Sequence, residues 1–168
     1  MADQPTRIAE CSCGKVKIRA FGEPIMHTAC YCKDCQVGGE QIQALPGATP
    51  VLDSDGGTDF LLYRKDRVEY SNVLSLLRPY KIKNDSPTSR VVATCCNTAM
   101  FLNFEKGHWL TMYRQRFQGD VPPLQMRVCT ASKRSGINLP DDVPNYSNYS
   151  FRFFTTLLAA WIPMLLRR

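Results

Sequence analysis

No basic stretch followed by an apolar run opens this chain: its first seven residues read MADQPTR. An export signal needs that pairing, so the protein is expected to stay in a reducing compartment, the cytoplasm. There is no internal repeat and no low-complexity tract, which excludes a solenoid and removes the compositional ground for disorder. No apolar run has the ~20 residues that cross a bilayer, because the most apolar stretch, 153 to 166, is too short and carries Pro163 near its far end. Nor are the basic residues gathered in a tail or stripe. The 21 Lys and Arg are spread among 15 acids, and although the net charge of +6 favours acidic partners, this dispersal disfavours nucleic acid.

The sequence holds instead enough material for one compact core. It has 168 residues, of which 44% are hydrophobic and 21% charged, and a single domain over residues 1–168 is expected. The organisation reads as mainly β, in short elements cut by turns. Residues 15 to 21 alternate, with Val16, Ile18 and Ala20 on one side and Lys15, Lys17 and Arg19 on the other, as a half-buried strand requires. Further strands are predicted over 59–63 and 67–70, around a turn at Arg64-Lys65-Asp66, and over 76–83, 90–94, 100–104 and 108–113. The stretch from Gly38 to Gly57, with its glycines and prolines, reads as a surface loop. Residues 153 to 166 read as a short helix capped by Ser147 or Asn148 and docked on the sheet. Together with Arg167-Arg168 this segment is also a candidate for a homodimer contact or an anionic membrane surface.

Eight cysteines in a reducing compartment point to metal rather than disulfides. They fall as Cys11 and Cys13, then Cys30, Cys32 and Cys35, then Cys95 and Cys96, with Cys129 alone, a grouping that implies two metal sites. A Cys-x-Cys pair brings two sulfurs to one ion, and a tetrahedral structural zinc needs two more, for which Cys95 and Cys96 are the obvious donors. The trio in "CYCKDC" can wrap one ion and leave a position unfilled, which is the signature of a catalytic rather than a structural zinc. The alternatives are buried apolar thiols for the paired cysteines, and for the trio a site closed by His27 or a Cys32-x-x-Cys35 redox pair.

The motifs "CSCGKV", "CYCKDCQ", "GGTDFLLY" and "CCNTAM", in that order over about residues 8 to 115, resemble the glutathione-dependent formaldehyde-activating enzyme family, which also contains centromere protein V. The resemblance implies a mainly β fold of the Mss4-like or β-tent type, with residues 116–168 as a carboxyl-terminal extension beyond it. It also implies a structural zinc at the first and last cysteine pairs, a second zinc at Cys30, Cys32 and Cys35, and chemistry on the carbon–sulfur bond between formaldehyde and glutathione. Two departures stand out. The family's last pair is spaced Cys-x-x-Cys, which would fall on Ala93 and Cys96. That leaves the fourth structural ligand open between Cys95, Cys129 and another group; two adjacent cysteines reach one ion only across a sharp turn, which the positive φ tolerated by Asn97 allows. Tyr31 stands where the family often has histidine, and is a candidate proton donor or packing residue.

The expected function is that of a zinc-dependent carbon–sulfur lyase or synthase, with up to two zinc ions and a small thiol such as glutathione, or its aldehyde adduct, as substrate. Lys33, Arg78 and Lys81 are candidates to offset the negative charge of three thiolates. The alternative is a non-catalytic zinc-stapled binding module for an acidic partner or chromatin.

Overall fold

The computed structural model describes residues 4–166. It is mainly β, with ten strands in two sheets and two helices. The small sheet has the order β1-β2-β5, from β1 (Thr6–Glu10), β2 (Lys17–Phe21) and β5 (Val68–Glu69). The large sheet runs β10-β3-β4-β9-β8-β7-β6. It is made of β3 (Met26–Cys30), β4 (Thr58–Arg64), β6 (Leu77–Tyr80), β7 (Thr88–Ala93), β8 (Thr98–Phe104), β9 (Trp109–Tyr113) and β10 (Met126–Val128). All neighbouring pairs are antiparallel except β10 and β3, which are parallel.

The alternation predicted for β2 is present: Val16, Ile18 and Ala20 are fully buried while Lys15, Lys17 and Arg19 are exposed. They face the large sheet, whose two faces are both covered, so its central strand β4 is apolar on either side. Leu61 and Tyr63 pack with the small sheet in one core. Phe60 and Leu62, pointing the other way, pack in a second core with Ile42, Phe153 and Leu157 from the two helices.

Some expectations are corrected here. Residues 33–43 form helix α1 (Lys33–Gln43), so the start of the supposed loop is helical. Its Gly38 and Gly39 are where side chains press on the helix backbone: an added Cβ would overlap the Arg90 guanidinium at Gly38 and the Leu52 side chain at Gly39. The turn and second strand predicted after β4 are present, a short 3-10 turn at Lys65–Arg67 carrying the chain across to β5 in the other sheet. Helix α2 (Phe151–Leu165) is capped by Ser150, whose Oγ accepts a hydrogen bond from the Phe153 amide at 3.1 Å, and not by Ser147 or Asn148. It also continues two residues past Pro163. Strands β1, β3 and β10 have no counterpart in the sequence reading, and β10 seats part of the carboxyl-terminal extension beside β3.

Helix α2 docks as expected, burying Phe153 and Leu157, and leaves Phe151, Leu158 and Ile162 exposed. His108 donates through Nε2 to the Leu157 carbonyl at 2.8 Å and holds the helix on the sheet. Among the described residues no helix is long and apolar enough to cross a membrane. Arg167 and Arg168 lie outside the described residues.

Candidate metal centres

The first cysteine group forms where two turns meet. Cys11 and Cys13 sit on the β1–β2 turn, which Gly14 closes at a φ of 77°. Cys95 and Cys96 sit on the β7–β8 turn, where Asn97 takes the positive φ expected of it, 53°. That turn lets both adjacent thiols face the same point. The four sulfurs lie within 4.8 Å of one another, with separations of 3.7 Å for Cys11–Cys13, 3.8 Å for Cys11–Cys95, 3.3 Å for Cys13–Cys95 and 3.8 Å for Cys95–Cys96. A tetrahedron with zinc–sulfur bonds near 2.3 Å has edges of about 3.8 Å, so this donor set fits a zinc ion.

The protons of this group are unevenly held. Burial and the surrounding thiols Cys13, Cys96 and Cys11 push Cys95 up to about 12. At Cys96 burial opposes ionisation, but the hydroxyls of Ser12 and Thr98 outweigh it and bring the thiol down to about 5. The Val16 amide also donates to Cys11 Sγ at 3.2 Å. Four crowded thiols cannot all ionise without a cation between them, and a bound divalent ion would remove that conflict.

The trio gathers at the junction of β3 and α1. Cys30 ends β3 and is buried, Cys32 is the N-cap of α1 and Cys35 lies in its first turn. The Cys35 amide donates to Cys32 Sγ at 3.3 Å, so the sulfurs sit at the positive end of the helix. All three lie within 4.8 Å of one another. Cys129 opposes ionisation of Cys30, but hydrogen bonds from Cys32 and Cys35 hold this thiol below its ordinary value. The same contacts to Cys30 raise Cys32 and Cys35. The three thiols thus differ in how readily each gives up its proton, and a divalent ion bound between them would favour the thiolate form of all three.

Other residues singled out in the sequence lie elsewhere. Both ring nitrogens of His27 are engaged, Nε2 with Asp59 Oδ1 at 2.7 Å and Nδ1 with the Pro122 carbonyl at 2.6 Å. The Tyr31 hydroxyl donates to Asp55 Oδ2 at 2.6 Å, and its ring packs on Gly57, where a Cβ would come within 2.7 Å. Arg78 is hydrogen-bonded to Tyr80, and Lys81 pairs with Glu105 at 2.9 Å.

Two residues of the extension escaped the sequence reading of the trio. Cys129 follows β10 in a left-handed conformation, φ 57°, and interacts with Cys30 rather than with the four-cysteine group. The Tyr149 hydroxyl lies 3.9 Å from Cys30 Sγ, and burial together with the nearby thiols keeps it protonated. Gln36 fastens this extension to the trio, donating through Nε2 to the carbonyls of Tyr31 at 2.6 Å and Ser132 at 2.8 Å. Nothing local to residues 30–35 announces partners more than ninety positions away. Beside the trio a cavity of about 360 Å³ runs under α2, with Cys30 and Cys35 in its wall.

Fold and site therefore define a mainly β protein with two cysteine clusters, each of which could hold a metal ion. The family model described as "Glutathione-dependent formaldehyde-activating enzyme" matches residues 6–45, which include Cys11, Cys13 and the trio. The chain thus resembles that family, over a shorter span than the motifs from 8 to 115 suggested. No curated protein matches significantly. Among solved structures, the crystal structure of a Rhodobacter sphaeroides protein aligns with a TM-score of 0.47 and 13% identity, over 82% of this chain and 98% of the other.

Proposed function

We propose that this protein is a zinc-dependent carbon–sulfur lyase or synthase acting on a thiol–aldehyde adduct, within one zinc-stapled domain. Cys11, Cys13, Cys95 and Cys96 hold a structural ion, and Cys30, Cys32 and Cys35 hold a second ion with one position left for substrate. Such an ion, when bound, supplies Lewis acidity that favours the ionised sulfur or oxygen of the substrate.

The observation that carries this reading is that, among the described residues, the sulfurs within mutual reach at the second cluster are those of Cys30, Cys32 and Cys35, and two of them wall a cavity. In cleavage the C–S bond breaks with its electron pair on sulfur, while the adduct hydroxyl loses its proton to water as the carbonyl forms. Tyr149, protonated and beside Cys30, is the residue we assign to donate toward the departing sulfur. Tyr31, bonded to Asp55, takes the packing role. The family match over residues 6–45 supports formaldehyde as the aldehyde.

X-ray absorption on zinc-loaded protein, with and without added thiol, tests the open position. The sulfur count at the second site should rise when thiol is added. Four protein sulfurs at that site, the fourth from Cys129 and unchanged by any thiol, would close it and leave a metal-stapled binding module.

A further inference from the structure

The cavity beside the trio carries more than its volume, because its wall is selective. Phe60, Leu102, Trp109, Phe153 and Leu157 make up much of it, from strands of the large sheet and from α2. Its polar lining residues are Thr28, Thr88, Thr111 and Tyr149, besides Cys30 and Cys35 of the trio. The Thr28 hydroxyl is already spent on the Met126 carbonyl at 3.1 Å. Among the described residues no Lys, Arg, His, Asp or Glu side chain lines the cavity. Glutathione brings carboxylates and an ammonium, and a carboxylate moved into such a wall gives up its water with no cation in return. An aryl or alkyl group of comparable bulk loses nothing there and gains by leaving water.

We propose that the substrate of this protein is a thiol, or its aldehyde adduct, carrying an uncharged apolar group that fills the cavity under α2 while its sulfur meets the cysteine trio. This inference rests on the open position proposed above. It departs from glutathione, since what selects the partner is the wall contributed by the large sheet and α2, not the cysteines themselves. The equilibrium is balanced as before: thiol plus aldehyde against hydroxyalkyl thioether, with one C–S bond made or broken and one proton moved.

The test compares benzyl mercaptan with glutathione on cobalt-loaded protein, reading the sulfur-to-cobalt absorption bands, with Trp109 fluorescence of zinc-loaded Trp161→Phe protein under toluene as a reading of the cavity independent of the cobalt bands. Benzyl mercaptan should perturb the cobalt bands at concentrations at least about tenfold below glutathione, and toluene should shift the emission saturably. Phe154→Arg, at a half-exposed position on the cavity rim, should narrow that preference by offering glutathione a cation. Glutathione binding as tightly as benzyl mercaptan to the unmodified protein would overturn the apolar substrate while leaving the lyase reading intact. If neither thiol touches the cobalt bands, the open position itself fails. Absence of a toluene effect removes the cavity as a binding site whichever thiol enters.

Discussion

At the scale of single residues, His27 illustrates how a candidate ligand is settled by its neighbours. Burial disfavours its charge, but Asp59 at 2.7 Å and the Pro122 carbonyl at 2.6 Å outweigh it and raise the imidazole above its ordinary value. A carbonyl can only accept, so Nδ1 donates, and the carboxylate draws a second proton to Nε2. A folded-state value raised above the unfolded one of about 6.5 gives stabilisation that is complete below that pH and is lost as the pH rises through the folded value. The stability gap between the natural chain and His27→Gln should therefore shrink as the pH rises above about 6.5 in urea titrations. A gap that stays constant would show that His27 is neutral and that its role is packing. Asn97 is the opposite case: its tolerance of positive φ is a local property, and the turn it permits was legible before any tertiary contact was known.

Elements were less legible where a helix has to admit a neighbour. Helix α1 contains Gly38-Gly39 because the Arg90 side chain crosses it, donating from Nη2 to the Asp34 carbonyl at 2.5 Å, and because Leu52 packs beside it. In an exposed helix Gly→Ala stabilises by about 1 kcal/mol. At Gly38 the added methyl must displace a buried guanidinium, so Gly38→Ala should destabilise instead, by about 1–3 kcal/mol in urea unfolding. A neutral or stabilised variant would mean that Arg90 can swing aside at no cost. The strands with clear alternation or β-branched runs were found, whereas β1, β3 and β10 were not. Strand β3 is buried on both faces and so shows no alternation, and β10, three residues long, gains its place by pairing with it, Val128 against Cys30.

For the whole molecule, the two cysteine groups differ in what they join. The four-cysteine group links the β1–β2 turn of the small sheet to the β7–β8 turn of the large one, whereas the trio belongs to one stretch of chain. Metal at the first group therefore ties the two sheets, and its binding free energy is folding free energy. Chelator titration of the zinc-loaded protein should release metal in two phases. The first should leave the circular dichroism unchanged, and the second should coincide with cooperative unfolding. Cys95→Ser should remove the second phase together with the stable fold, while Cys129→Ser should retain that metal. Loss of that metal in Cys129→Ser with retention in Cys95→Ser would show that Cys129, not Cys95, completes the structural group.

The sequence by itself determined the features that depend on near neighbours: the alternating β2, the apolar carboxyl-terminal helix, the trio at 30–35 and the turn that brings Cys95 and Cys96 to one point. Each rests on backbone geometry within a few residues, where spacing and residue type are enough. Only the tertiary structure decided that Cys129 and Tyr149 come to Cys30, that α2 roofs a cavity without charge, and that β4 and β5 part into different sheets. Those relations join positions far apart in the chain, and their energy comes from burying apolar faces against one another, which no local pattern of residues records.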